Sequence, residues 1–342
     1  MGQTQLSQGR LLNAFGNLNE TGFAISLVKD YDRRDVRANK LKVKEWDSYY
    51  IGNQRYGLCL KIADYSYIGI ANISFIDFEK GSYVMKITKR FMTNGKLHMP
   101  SSSKSGDVIF SGKNISLHFI NSGRKRVIKC SLLHFDGVVD FECNIELFDE
   151  CEESLVVAKP FKKKKHFVYN QKINCLRAKG EARIGGRRLF FSPQDSFAML
   201  DWSRGVWAKK NTILSACFNC SLNGKKIGIN FSTGINSGNI ATENIIYYDN
   251  KTYRIDVINF NIPLNDKQKE EYMQEWSIKS EDGKVNLTFV PLINKKNNYE
   301  TLIAGVKQNQ IYGYFSGKIN VNGKEIQIDN MIGFTEKNIV RF

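Results

Sequence analysis

Carboxylates set among aromatic residues are the feature of this sequence best suited to chemistry. Asp201-Trp202-Ser203-Arg204-Gly205-Val206-Trp207 gathers an acid, a guanidinium and two indoles, while Thr242-Glu243-Asn244 and Gly333-Phe334-Thr335-Glu336 each place a carboxylate beside strand-like residues. A carboxylic acid can protonate an alkene or enol ether only if an apolar pocket keeps it protonated near neutral pH. Asp201, beside Trp202 and Trp207, fits that role as a general acid, with Glu243 or Glu336 as its partner. The structural alternative is an ion pair between Asp201 and Arg204 that pins the strand to its loop. In a strand, Glu243 shares a face with Ile245 and Tyr247, and Tyr248 points the other way; the alternative for Glu243 is a structural hydrogen-bond network. Catalytic candidates are thus Asp201 and Glu243, and ligand-binding candidates are Trp202, Arg204, Trp207, Asn244, Tyr247 and Glu336. Glu336 also reads as a latch near the terminus.

Other chemistries find little support. His98, His118, His134 and His166 show no paired spacing, and Cys217-Phe218-Asn219-Cys220, if a strand, puts its two thiols on opposite faces. No metal and no cofactor is expected. The chain has no Gly-x-Ser-x-Gly elbow and no phosphate loop, and Gly185-Gly186 before two arginines reads as a hairpin turn. Arg187-Arg188-Leu189-Phe190-Phe191 could stack bases on a sheet, and an ordinary amphipathic strand explains it equally.

The elements that must position these residues are strands. Tyr56–Ile62, Ile115–Ile120 and Val285–Val290 alternate apolar and polar side chains, and Asn94-Gly95, Asn223-Gly224, Asp282-Gly283 and Asn322-Gly323 supply tight-turn signals. Strand, turn and strand repeating without long helices predicts antiparallel sheets that close or stack. Short helices are expected at Asp32–Asn39 and Asn265–Tyr272. With 342 residues the chain suits two domains, and the run Lys159-Pro160-Phe161-Lys162-Lys163-Lys164-Lys165 reads as the linker between residues 1–160 and 161–342. Phe-Ser-Gly-Lys occurs at Phe110–Lys113 and again at Phe315–Lys318, as a duplicated domain would allow.

A net charge of +16, from 50 Lys and Arg against 34 Asp and Glu, draws the protein toward phosphates. An anionic membrane or nucleic acid is therefore one possible partner, although the cations are scattered and the lysine run also reads as a solvated face. Apolar stretches fall short of a spanning helix, and the N-terminus lacks a secretory pattern. Seven cysteines without a disulfide framework complete the expectation of a soluble, cytoplasmic chain with reduced thiols.

An ordered set of motifs spans nearly the whole chain: Gly22-Phe23-Ala24, Lys44-Glu45-Trp46-Asp47, Ile62-Ala63-Asp64-Tyr65, Asp77-Phe78-Glu79, the Asp201 motif, Thr242-Glu243-Asn244 and Gly333–Glu336. In this order they resemble the bacterial family called domain of unknown function 2804, a relative of the carotenoid hydratases. The resemblance implies an all-β chain of two tandem lipocalin-like antiparallel β-barrels, the second carrying Asp-Trp-Ser-Arg-Gly and holding the better pocket. It also implies, through Asp201 alone, acid catalysis on an isoprenoid-like double bond. The chain departs from its family just after the motif, where Asn211–Ala216 stands in place of a tryptophan-rich stretch. The expected function is binding of a hydrophobic small molecule, lipid or isoprenoid-like, with hydration or isomerisation as its chemistry. The alternative is a non-catalytic module that engages an anionic membrane or nucleic acid.

Overall fold

The alternating runs become strands in a computed structural model, which describes residues 4–148, 153–234, 241–300 and 305–341. Cys151 lies outside the described residues. The first sheet runs from edge to edge through Ser82–Phe91, Ile68–Asp77, Tyr56–Asp64, Val43–Gly52, Phe197–Val206, Phe167–Ile184, Val139–Phe148, Lys125–Asp136, Ile115–Ser122 and Val108–Gly112. Short strands at Leu155–Pro160 and Arg187–Phe191 pair with Phe167–Ile184, and Gly22–Ala24 pairs with Leu155–Pro160. This sheet curls until its two ends meet, where the Arg90 guanidinium donates to the Ser111 carbonyl.

The second sheet runs through Lys251–Arg254, Ile245–Tyr248, Lys225–Thr233, Lys210–Leu222, Lys324–Arg341, Gly305–Val321, Val285–Glu300, Trp276–Ser280 and Ile258–Asn261. Its two edge strands follow one another in the sequence, so the sheet also curls back on itself. The architecture is therefore two lipocalin-like antiparallel barrels in tandem. No helix among the described residues is long and apolar enough to cross a membrane.

Period two explains the cores. On the concave face of the first sheet Tyr49, Phe119, Phe141, Tyr169 and Trp202 are buried, and the N-terminal segment adds Leu6, Leu11, Leu12, Tyr31 and Val36. The second core is built from Phe218, Trp276, Phe289 and Phe315, with rings of Phe289 and Phe315 centred 4.7 Å apart. Each such fully buried side chain contributes about 1.5–3 kcal/mol of transfer free energy. Both barrel interiors are thus occupied by side chains.

The tight turns follow the sequence signals. Asn223-Gly224 and Asn322-Gly323 close two-residue hairpins with φ of 51° and 76°, and 50° and 81°, the left-handed values a primed turn needs. Gly185-Gly186 turns Phe167–Ile184 into Arg187–Phe191.

Three expectations are corrected. Strands Phe167–Ile184 and Phe197–Val206 pair inside the first sheet, so the change of sheet comes after Val206, and the Asp201 motif belongs to the first barrel. The lysine run is accordingly no linker between barrels. It is the loop of a hairpin whose arms, Leu155–Pro160 and Phe167–Ile184, pair with each other. Residues 265–272 form turns in place of a helix: the Asn265 side chain accepts from the Lys267 and Lys269 amides, and Leu264 bridges to Glu270. An Asx turn outcompetes the N-cap geometry that the same residue could have supplied. In Asp32–Asn39 a single 3-10 turn forms, Arg33–Asp35, and Asn39 caps a second at Lys40–Lys42.

Candidate functional site between the two sheets

The convex face of the first sheet carries a polar row where solvent would be expected. Lys172, Asp201, Ser48, Lys61 and Asn72 lie abreast on five neighbouring strands, each the direct cross-strand partner of the next. The second sheet presents a matching row: Ser232, Ser215, Glu336, Gln310 and Lys295. The barrels pack so that all ten of these residues line one cavity of about 210 Å³. Trp46, Tyr65, Trp207, Tyr50 and Phe334 are among its aromatic walls.

Two apolar clusters frame this cavity. On one side Tyr50, Met199, Cys217, Tyr312 and Phe334 join the sheets, with the Tyr50 and Phe334 rings 5.3 Å apart and the Cys59 Sγ 3.0 Å from the Tyr312 hydroxyl. On the other, Trp46 stacks 5.1 Å from Trp207, which lies 5.8 Å from Phe161. The sheets are also held at a bulge in Phe167–Ile184, where Cys175 has φ 58°. There the Asn174 Nδ2 donates to Asn219 Oδ1 at 2.9 Å and to the Ile229 carbonyl at 3.1 Å. A Cβ on Gly228 would sit 2.8 Å from both Cys175 Sγ and Asn219 Oδ1, so any larger residue there would have to displace these side chains.

Charges inside the cavity balance, with Lys61, Lys172 and Lys295 against Asp201, Glu243 and Glu336. Lys172 Nζ stands 3.0 Å from Asp201 Oδ1, and Lys159 Nζ 3.0 Å from Glu243 Oε1. Burial works to lower the Lys172 ammonium, but the charges of Asp201 and Glu243 outweigh it and hold it above the usual lysine value. Lys61 behaves alike: burial opposes its charge, and Tyr65, Asp201 and Glu336 raise it. Its ammonium lies 4.8 Å from the Trp46 ring centroid. Lys295 donates to Ser74 Oγ across the sheets at 3.2 Å, and Asn338 Nδ2 donates to Glu336 Oε1 at 3.0 Å. Trp46 Nε1, Asn170 Oδ1 and Asn338 Oδ1 are buried atoms of lining residues with no hydrogen-bond partner among the described residues.

Of the residues singled out in the sequence, Asp201, Glu243, Glu336 and Trp207 meet in this cavity. Trp202 and Arg204 point to the opposite face, into the first barrel, because they are one and three positions from Asp201 in a strand. Arg204 does not pair with Asp201. It is fully buried against Asp47 at 2.9 Å, donates to the Trp46 and Pro100 carbonyls, and lies 4.4 Å over Trp202. Two of the quoted motifs therefore meet: Lys44-Glu45-Trp46-Asp47 runs antiparallel to the Asp201 motif. On the other side of the motif strand Gly205 is a close approach to Phe167–Ile184, since a Cβ there would lie 2.3 Å from the Phe167 carbonyl oxygen.

Asn244 accepts from the Ser232 amide and donates to the Asp256 carbonyl. The Tyr247 hydroxyl donates to the Lys172 carbonyl at 2.8 Å and accepts from the Leu155 amide. Glu243 precedes the strand Ile245–Tyr248 and is not part of it. Cys217 and Cys220 face different cores, as period two requires, and burial pushes both thiols up to about 12.

The sequence reading missed Lys61, Lys172, Lys295, Ser48, Asn72 and Gln310. Their signal was a polar side chain at the non-core phase of a strand, which normally means solvent.

Residues 3–342 match a family described as Domain of unknown function (DUF2804). The chain belongs to this family. No curated protein matches it. Among solved structures this DUF2804 chain is similar to a putative AttH from Nitrosomonas europaea, with 10% identity, a TM-score of 0.53, and coverage of 92% of this chain and 98% of that one. Kievitone hydratase from Nectria haematococca aligns with 13% identity and a TM-score of 0.46 over 98% of both chains. CghA with Sch210972 aligns with 10% identity and a TM-score of 0.44 over 98% of both. At such identities the likeness speaks to fold, and the chemistry has to be read from the cavity.

Proposed function

We propose that this protein binds a compact small molecule between its two barrels and moves a proton on it, with Asp201 as the base. The observation that carries this reading is the pair of facing polar rows, which enclose a cavity walled by aromatic rings and leave lining polar atoms unsatisfied. Buried polar groups without partners are costly and mark places where a ligand or water completes the bonding. Junctions between domains are also favoured ligand sites.

The lining refines the ligand. A space of about 210 Å³ ringed by lysines, carboxylates and amides suits a small molecule with an apolar ring and several polar substituents better than a long isoprenoid. The ion pair with Lys172 supports reading Asp201 as a proton acceptor, in contrast to an acid held in an apolar pocket. In a hydration it would take a proton from water as the oxygen adds to an electron-poor double bond, and that proton would return to the neighbouring carbon. In an isomerisation the proton would leave one carbon and return to another. The Lys61 ammonium faces the negative charge that develops in either case.

Native mass spectrometry of the purified protein, with extraction of any co-purified small molecule, tests the reading. Wild type should carry a ligand that Ser215→Trp, which fills the cavity, excludes. Asp201→Asn should retain the ligand in its unreacted form, differing from the wild-type product by one water or by a shifted double bond. A ligand held equally by wild type and Ser215→Trp would place binding elsewhere and defeat the proposal.

A further inference from the structure

A second, larger hollow adjoins the cavity. It is an open groove of about 1160 Å³ where the lysine-rich hairpin of the first sheet meets the end of the second, and Ser232 and Glu243 line both spaces. Its walls hold seven lysines against two carboxylates, Glu243 and Asp256. Lys159 and Lys337 are paired, with Glu243 and Glu270. Lys42, Lys162, Lys163, Lys209 and Lys210 have no carboxylate partner among the described residues. Three separate segments deliver these five: the turn Lys40–Lys42, the hairpin loop after Pro160, and the crossover into the second sheet at Lys209-Lys210. Tertiary structure has gathered cations that the sequence scatters.

Like charges collected in a concave surface repel unless an anion sits among them, and a low-dielectric floor strengthens the field. Apolar lining is present, since Phe161 and Ala208 belong to the cluster that also walls the inner cavity. The field is felt by His166, a buried lining residue. Burial and then the charges of Lys163 and Lys42 lower its pKa, against the opposing hydrogen bond to the Trp207 carbonyl.

We infer that the groove is the anion subsite of the same ligand, whose phosphate, sulfate or carboxylate group is held by Lys42, Lys162, Lys163, Lys209 and Lys210 while its apolar body reaches toward the inter-sheet cavity past Glu243. The inference rests on the proposed function above and adds a substrate class to it, that of small anionic amphiphiles. Extended anionic surfaces present the same phosphate chemistry, but the shared lining residues Ser232 and Glu243 of groove and cavity favour the small ligand.

Fluorescence titration with anilinonaphthalene sulfonate and its uncharged relative phenylnaphthylamine, on the full chain, separates the two claims. Wild type should bind the sulfonate about tenfold more tightly than the amine at low ionic strength, and the preference should collapse as salt screens the lysines. The variants K162Q/K163Q and K209Q/K210Q should lose that preference and keep the affinity for the amine. These positions are exposed, so the variants are expected to melt like wild type. An unchanged ratio of affinities in both lysine variants overturns the anion subsite and leaves the cavity reading standing. Failure of both probes to bind wild type removes the two together. Binding of anionic vesicles or a single-stranded oligonucleotide that the lysine variants abolish, without any sulfonate preference, would assign the face to a macromolecule and also overturn the inference.

Discussion

Among the buried charges some hold the first barrel and others face the cavity. Arg204 and Asp47 are of the first kind: removing one partner leaves a buried charge uncompensated, a change that costs about 3–5 kcal/mol. Arg204→Met should therefore lower the denaturation midpoint strongly, and Arg204→Met with Asp47→Leu should recover much of the loss in the same denaturant titration. Lys44 offers a cleaner pH test. Burial is the largest influence on it and brings its ammonium down to about 7, although Asp64 opposes the shift; its Nζ donates to the Leu41 and Tyr65 carbonyls. Unfolding restores the ordinary value of 10.5, so between these pH values the unfolded chain binds more protons. Stability must rise with pH across that window, by at most about 1.4 kcal/mol per unit from one proton. Lys44→Met should lack this rise, and denaturation at pH 7 and pH 10 would show its absence as a difference from wild type that grows with pH.

At the scale of elements, the glycines of the motif and the bulge do different work from those of the turns. Gly205 faces a backbone oxygen at 2.3 Å, whereas Gly228 faces a side-chain sulfur and a side-chain amide at 2.8 Å. A side chain can yield and a paired strand cannot. Gly205→Ala should therefore lower Tm more than Gly228→Ala, with the latter costing about 1–3 kcal/mol as overpacking does. Calorimetric melting curves of the two variants would rank them, and the opposite order would show that the sheets, not the strands, are the rigid part. Strand alternation and hairpin turns were legible because they depend on local φ and ψ and on which face is apolar. The helix expected at 265–272 was not, because Asn265 can cap a helix or close an Asx turn, and the bridge between Leu264 and Glu270 decided for the turn.

Besides a two-stranded sheet of Gly9–Arg10 and Lys29–Asp30, the described residues form two large curled sheets joined at their convex faces, and the change of sheet after Val206 makes a direct prediction. Residues 1–208 contain all strands of the first sheet and its entire core, so this fragment should fold and unfold cooperatively by circular dichroism. Residues 1–160 lack Phe167–Ile184 and Phe197–Val206, which sit in the middle of the sheet, and should not. A cooperative transition in the shorter fragment would restore the division at the lysine run. What the sequence determined by itself was β-structure, the position of many turns and the family, and it singled out Asp201, Glu243, Glu336 and Trp207, which the fold brings to one cavity. The reading that set Trp202 beside Asp201 in one pocket failed, because adjacent residues of a strand face apart. Tertiary structure alone decided that the face opposite the core is not solvent. Cross-strand registry places Lys172, Ser48 and Lys61 beside Asp201, and docking of the second sheet brings Glu336 and Lys295 over them. The pairings that join these hairpins, Asp201 with Ser48 and Ser215 with Glu336, link residues more than a hundred positions apart, and no local pattern encodes them.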